Sequence, residues 1–303
     1  MMKTCAHKYS FLLPAYKSKF LKESLESILN QTYRDYEVIV SDDCSPEDIK
    51  AVVEQFDDPR ISYRRNTRNI GAEHLVDHWN LLLGLTKSDY IIMASDDDVY
   101  DREYLSEIDS LTEKYPESVI FRPLVNHIDS NGNVIFKENP LGKDFLPIEE
   151  YLNKVAHSEI FSGMQQYVFN RAALVDKGGF VNYPAAWFSD DATVINMAEN
   201  GIPVCDRILY SMLRSNLSIS SDYRSYSMKK SKIDATAKYA DFLRQKVKNK
   251  YSNDIYHCLM IRANEMLWGV IRGGNLQTFP RALIYSFRYL RLHPILWRMG
   301  LMK

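Results

Sequence analysis

The chain has 303 residues, 46% hydrophobic and 25% charged, enough to bury a sizeable core as one large domain or two small ones. Its formal net charge of -1 supplies no basic field for a phosphate backbone, so nucleic acid is not an expected partner. Cys5, Cys44, Cys205 and Cys258 lie far apart with no Cys-x-x-Cys pair; this spacing argues against a zinc knuckle or dithiol site and for free thiols in a reducing compartment.

The N-terminal apolar run Phe11-Leu12-Leu13 ends at Pro14, too short for a signal-peptide core. No run of 18 apolar residues occurs, so a spanning helix is not expected and the cytoplasm is the expected location. The first 125 residues alternate short apolar runs with helical patterns, the sequence form of βα units around a largely parallel sheet. Tyr9 to Leu13 predicts a buried strand stopped by Pro14, followed by a helix carrying Phe20, Leu21, Leu25, Ile28 and Leu29 on one face. Strand Tyr36 to Val40 runs into Ser41-Asp42-Asp43, and Ser45 is placed to N-cap a helix with Pro46 at its first position. A third strand, Ile61 to Arg64, precedes a helix whose Leu75, Trp79, Leu82 and Leu83 share a face. The fourth, Tyr90 to Ala94, ends in Ser95-Asp96-Asp97-Asp98.

Beyond Phe121 the pattern changes. Asp129 to Asn133 predicts a hairpin turn, because Asn-Gly accepts positive φ. Gly178-Gly179 closes a helix that begins near Arg171, and Ala192 to Glu199 forms another. From about Tyr226 the chain is helical and rich in Lys and Arg.

Open α/β sheets bind ligands at the carboxyl ends of their strands, where this sequence places two acidic clusters, Asp42-Asp43 and Asp96-Asp97-Asp98. Adjacent carboxylates repel unless a cation or hydrogen-bond donors neutralise them. Mg²⁺ and Mn²⁺ prefer oxygen ligands, and Mg²⁺ commonly takes one or two carboxylates together with substrate phosphates. The alternative is that these loops simply cap helices or face water. His74 and His78 lack the Glu that follows the first His in zinc proteases, and no Gly-x-Gly-x-x-Gly or Walker pattern occurs.

Four segments in order, Phe11-Leu-Leu-Pro-Ala-Tyr16, Leu25-x-Ser27-Ile-Leu-Asn-Gln-Thr-Tyr33, Tyr36-Glu-Val-Ile-Val-Ser-Asp-Asp43-x-Ser45 and Ser95-Asp-Asp-Asp98, resemble the family 2 glycosyltransferases over about residues 9 to 220. The resemblance implies an α/β GT-A fold with a Rossmann-like sheet flanked by helices. It divides the chain into a nucleotide-sugar-binding half (1–125), an acceptor-binding half (126–225) and a helical C-terminal extension (226–303). It also implies that Pro14, Ala15 and Tyr16 touch the nucleotide base, with Ala15 standing where Thr is usual, and that Asp43 hydrogen-bonds the base. Arg68, Asn69 and Gly71 match the segment that closes over base and ribose. Ser95 replaces the first acid of the commoner Asp-x-Asp-Asp pattern. Asp97 then becomes the foremost metal ligand, Asp96 faces the ribose or a metal-bound water, and Asp98 is a second ligand or structural.

On the acceptor side, Asp190-Asp191 resembles the family's acidic pair, with Asp191 as base and Asp190 as supporting acid; the competing reading is helix capping. Arg214, with Ser218 and Ser220, resembles a segment found after the base helix in many relatives; because a guanidinium suits phosphate oxygens, Arg214 is expected to hold the diphosphate or shape the acceptor loop, the alternative being a salt bridge. The expectation is an inverting transfer, with Mn²⁺ or Mg²⁺, from a nucleotide-diphosphate sugar (a UDP-sugar first) to a glycan or lipid-linked acceptor in bacterial surface polysaccharide synthesis. A catalytically inactive nucleotide-sugar-binding scaffold is the rival. A nucleotidyltransferase is disfavoured because Pro14-Ala-Tyr-Lys17 replaces a Gly-rich loop. After Glu265 no acid remains, while Arg272, Arg281, Arg288, Arg291, Arg298 and Lys303 are interleaved with Tyr285, Phe287, Tyr289 and Trp297. This pattern suits either a peripheral contact with anionic lipid at the inner face of the plasma membrane or a helix pair packed on the catalytic domain.

Overall fold

Alternation along the first strand decides which helices cover which face of the sheet. The computed structural model describes residues 7–215 and 225–272. In chain order the elements are β1 (Tyr9–Ala15), α1 (Leu21–Leu29), β2 (Tyr36–Asp42), α2 (Ile49–Val53), β3 (Ile61–Arg65), α3 (Leu75–Leu83), β4 (Tyr90–Met93), β5 (Val99–Tyr100), α4 (Tyr104–Lys114) and β6 (Ile120–Ile128). They continue as β7 (Val134–Lys137), β8 (Phe145–Leu146), α5 (Ile148–Ala156), β9 (Val168–Asn170), α6 (Arg171–Asp176), α7 (Ser189–Met197), β10 (Ile202–Leu213), α8 (Tyr226–Lys246) and α9 (Asn253–Arg272). Tyr9, Phe11, Leu13 and Ala15 of β1 join a core with Leu21, Leu25 and Ile28 of α1 and Leu105 and Ile108 of α4. Leu12 points the other way, into a core shared with α3, α5, α7, α8 and α9. The period of two along the strand thus builds a helix–sheet–helix sandwich.

The sheet order is β3-β2-β1-β4-β9-β6-β10-β5, with β7 on β6 and β8 on β10. β3, β2, β1 and β4 are parallel, whereas β9 runs antiparallel to both β4 and β6. The expected boundary at residue 125 falls inside β6, which pairs with β9 and β10, so the two halves share one continuous sheet. The helical extension forms α8 and α9, which pack on one another, with α9 also against α5. No helix among the described residues is long and apolar enough to cross a membrane. The basic tail beyond Arg272, together with Ser218 and Ser220, lies outside the described residues.

Three local expectations are corrected. β1 does not stop at Pro14 but continues to Ala15. Leu12 O accepts from Ala94 N on the β4 side, and with period-two alternation the backbone nitrogen of Pro14 faces the same side, beyond the last β4 residue, Met93. Its missing N–H therefore forfeits no ladder bond, and the strands fork there. Ser45 does not cap α2. Asp48 does, accepting from Ala51 N, while the Ser45 hydroxyl donates to Tyr16 O and accepts from Glu47 N. Finally, α7 begins at Ser189 rather than Ala192, which puts Asp190 and Asp191 inside its first turn. The hairpin turn at Asp129 to Asn133 forms between β6 and β7 as expected, with Gly132 at positive φ.

Candidate active site

The fork between β1 and β4 opens into a cleft of about 950 Å³. Its walls include Pro14, Ala15, Tyr16, Asp43, Asn69, Gly71, Asp96, Asp97, Asp98, Asp190, Asp191 and Arg214, so one cavity gathers residues spread over 200 positions of sequence. Arg68 is the exception: it is exposed and does not line the cleft.

Asp43 is buried at the end of β2, and its carboxylate is saturated. Oδ1 accepts from Asn66 Nδ2 at 2.8 Å and Ile70 N at 2.9 Å; Oδ2 accepts from Asn69 Nδ2 at 3.1 Å and Gly71 N at 3.0 Å. Gly71 makes this possible by adopting φ 81°, a left-handed conformation that L side chains resist. Asp43 therefore organises the 66–71 segment, and a base reaching it displaces a donor already in place. Asp42 is fully buried and committed to Tyr63, Arg65 and the Ser45 N–H.

The three consecutive acids have three different surroundings. Asp96 Oδ2 accepts from Tyr16 N and Lys17 N, each at 2.8 Å, and so fixes the loop after β1. Burial, and then the Asp97 charge, hold its carboxyl above the usual range. Asp98 is 2% exposed and spends both oxygens on β10, accepting from Tyr210 OH at 2.5 Å and Leu213 N at 2.8 Å. Burial, reinforced by Asp97, pushes it up to about 8. Of its two expected roles, metal ligand or structural, the geometry matches the second: it clips the end of β10 to the loop after β4. Asp97 is only half-buried, accepts the Ser95 hydroxyl on Oδ1, and has no hydrogen-bond partner at Oδ2 among the described residues.

This donor set fits a hard cation that takes one carboxylate here and most of its remaining oxygens from a ligand's phosphates. No group of three or more His, Cys, Asp or Glu side chains among the described residues forms a self-sufficient metal cage. His78, one of the two discounted histidines, is buried and bonds Ser41 Oγ at 2.8 Å, whereas His74 is exposed beside Asp77.

The opposite wall is built by a tight, strained approach to α7. Ala185, Ala186 and Phe188 all have positive φ, of 58°, 53° and 65°. Non-glycine residues enter that region at a cost of about 1–3 kcal/mol each, and such strain gathers where a site must be aimed. Here it turns the first turn of α7 so that Asp190 and Asp191 line the cleft. Neither acid is the N-cap; that position is Phe188, whose ring stacks on Tyr239 at 4.4 Å. Burial, and then the neighbouring Asp191 charge, push Asp190 up to about 7. Asp191 is 5% exposed and receives a hydrogen bond from Arg262 Nη1 at 2.7 Å.

Arg214 is exposed at the end of β10, its guanidinium 5.7 Å from the Phe161 ring centre and its Nε donating to His127 Nδ1 at 3.4 Å. Burial, and then Arg214 itself, push His127 down to about 4, so at neutral pH the ring is uncharged and can accept that bond. The salt bridge considered for Arg214 does not form among the described residues; its cation faces the cleft.

Sequence reasoning missed Arg262, His127 and Trp187. Trp187 lines the cleft with its indole N–H unpartnered among the described residues. No motif marks Arg262 or His127, which reach the site through Asp191 and Arg214, whereas Trp187 opens the segment that carries Asp190 and Asp191.

Residues 10–174 match the model of glycosyl transferase family 2. The chain is 27% identical to glycosyltransferase GlyG of Streptococcus pneumoniae over 48% of this chain and 50% of that protein. It is 33% identical to the GalNAc(5)-diNAcBac-PP-undecaprenol beta-1,3-glucosyltransferase of Campylobacter jejuni over 46% and 42%. The match thus spans about half the length of these curated relatives. Among solved structures, S. aureus TarS 1-349 in complex with UDP-GlcNAc superposes with a TM-score of 0.65 at 14% identity, covering 97% of this chain and 92% of that one. The mannosyltransferase PcManGT of Pyrobaculum calidifontis, in complex with GDP-Man and Mn2+, gives 0.56 at 16% identity over 98% and 88%. The fold is GT-A, and, with a family model matching more than half of its length, this chain belongs to glycosyl transferase family 2.

Proposed function

We propose that the cleft binds a nucleotide-diphosphate sugar against the β1–β4 fork and passes the sugar, with inversion, to a hydroxyl of a glycan or lipid-linked acceptor at the α7 wall. The observation that carries this reading is the placement of Asp97, with a free carboxylate oxygen, and the Asp190–Asp191 pair on walls of one cavity. An acceptor hydroxyl is a poor nucleophile and a nucleoside diphosphate leaves with added negative charge, so the reaction needs a base on one side and positive charge on the other.

The base and ribose lie against Pro14, Ala15 and Tyr16 and the Asn69–Gly71 backbone that Asp43 organises. Asp97 would hold Mn²⁺ or Mg²⁺, which would supply positive charge to offset the charge of the leaving diphosphate. Arg214, held by His127, takes a phosphate oxygen. Asp191 accepts the hydroxyl proton as the acceptor oxygen bonds to the anomeric carbon. The bond from that carbon to the phosphate oxygen breaks, and its electron pair leaves with the nucleoside diphosphate. Asp190 keeps a second carboxyl near the developing charge.

The relatives' names support this chemistry: nucleotide sugars bound by two structural neighbours, and an undecaprenol-linked glycan in the name of one relative. A lipid-linked acceptor would place the reaction in the cytoplasm at the inner face of the plasma membrane, in surface polysaccharide synthesis.

The test is thermal stability against UDP, GDP, dTDP and CMP and their common sugar conjugates, with Mn²⁺ and with chelator. A ligand at about 100 times its dissociation constant adds roughly 2.7 kcal/mol. Stabilisation by one diphosphate class, dependent on metal and lost in Asp97→Ala, is the expected result. No shift with any nucleotide would overturn the reading, and binding without turnover over any acceptor would leave a nucleotide-sugar-binding scaffold.

A further inference from the structure

Helix α9 lies beyond the segment matched by the family model, yet it reaches the acid pair. Arg262, near its middle, donates from Nη1 to Asp191 Oδ2 at 2.7 Å, and both side chains are largely buried, at 18% and 5% exposure. Asp191 Oδ1 has no hydrogen-bond partner among the described residues. On the other side, Asp190 Oδ1 accepts from Asp191 N at 2.9 Å. One carboxylate oxygen of Asp191 is therefore anchored and the other remains for a ligand.

The extension is also part of the cavity: Met228 of α8 and Met266 of α9 line it with Arg262. The charged and titratable groups facing the pair are Arg262 from α9, Tyr239 from α8, Tyr151 from α5 and Tyr167 from the segment before β9. Of these groups, all among the described residues, Arg262 carries the positive charge. A guanidinium stays charged at all relevant pH and fixes a carboxylate directionally, which a solvated lysine does less well.

We propose that Arg262 is a positioning residue for Asp191, through which the C-terminal helix pair sets the orientation of the base toward the acceptor hydroxyl. The proposal rests on the assignment of Asp191 as base. A base held within a fraction of an ångström of its productive position contributes to turnover and not to donor binding. A tie that merely joins α9 to α7 would change stability alone.

The experiment compares the full-length chain with Arg262→Ala, Arg262→Lys and Asp191→Asn. The readouts are UDP affinity with Mn²⁺, nucleotide release from UDP-GlcNAc, UDP-glucose and GDP-mannose, and the ¹³C titration of the Asp190 and Asp191 carboxyls. In Arg262→Ala the expected results are UDP affinity within twofold of wild type, nucleotide release at least tenfold slower, and carboxyl midpoints moved up. Arg262→Lys recovers part of both effects. Unmoved midpoints, or unchanged release where Asp191→Asn abolishes it, would overturn the proposal. Unchanged release in Asp191→Asn would instead overturn the base assignment, leaving the titration to decide whether Arg262 governs the pair. If Arg262→Ala does not fold, Arg262→Gln, which keeps the stem and a donor without the charge, carries the same comparison.

Discussion

The ion pair beneath the cleft provides a quantitative test of how the site is supported. Arg122 on β6 and Glu138 just after β7 are both fully buried, and Arg122 Nη2 donates to Oε1 at 2.8 Å and Oε2 at 2.6 Å. Glu138 also accepts from Val125 N at 3.0 Å and from Phe161 N at 2.6 Å. Phe161 opens the 161–165 stretch of the cleft wall and underlies Arg214. Glu138→Ala removes all four bonds and leaves a guanidinium buried without its counter-charge. Breaking such a pair from one side costs about 3–5 kcal/mol. Unfolding entropy of roughly 2.1 cal/mol/K per residue gives about 0.6 kcal/mol/K for this chain, so Tm falls by about 5–8 °C. Arg122→Met with Glu138→Gln removes both charges and keeps an acceptor for one of the two backbone N–H groups, which bond different oxygens of Glu138, so it should recover part of the loss. Scanning calorimetry at neutral pH measures both variants. A Glu138→Ala Tm within about 2 °C of wild type, or a double variant less stable than the single, would refute the reasoning.

Asp97 and Asp98 should separate cleanly. Asp97→Ala leaves the ligand-free Tm near wild type and removes metal-dependent stabilisation by nucleotide, whereas Asp98→Ala leaves Tyr210 OH and Leu213 N unpaired and lowers stability by about 1–3 kcal/mol for each group, read by thermal denaturation. Arg214→Ala should weaken UDP binding about 10–100-fold, the equivalent of a charge-assisted bond of roughly 1.5–3 kcal/mol, measured by calorimetric titration. Asp190 has a folded-state pKa raised to about 7, so the folded chain holds this proton more tightly than the unfolded one and loses stability as pH rises from the ordinary carboxylate range toward 7. Asp190→Asn should therefore match wild type in Tm near pH 4 and exceed it by a full, constant margin above pH 7. Equal Tm values across that range would contradict the raised pKa.

The β1–β4 edge of the cleft was legible because its acids sit on consecutive residues at strand ends. Apolar runs located β1, β2, β3 and β4, and the polar residues after them, Asp43 and Asp96 to Asp98, line the cleft because parallel strands bring their carboxyl ends to one edge. What each acid does there was not legible. Asp97 and Asp98 are adjacent and identical in type, yet one faces the cavity and the other is buried against Tyr210, more than a hundred residues later. The start of α7 was misplaced because left-handed Ala185, Ala186 and Phe188 have no sequence signature, unlike a glycine. Arg68 lies outside the cleft lining because motif order fixes a segment but not which of its side chains faces inward. Arg262 and His127 bond residues far away in sequence, Asp191 and Arg214 respectively.

The most direct test of the central claim is a crystal structure of the chain with UDP and Mn²⁺, or with whichever diphosphate the stability screen selects. The account predicts the base against Pro14, Ala15, Tyr16 and the Asn69–Gly71 backbone, the diphosphate between Asp97 and Arg214, and open space between its terminal phosphate and Asp191. A nucleotide bound outside this cleft, or one whose phosphates point away from Asp97, would contradict it.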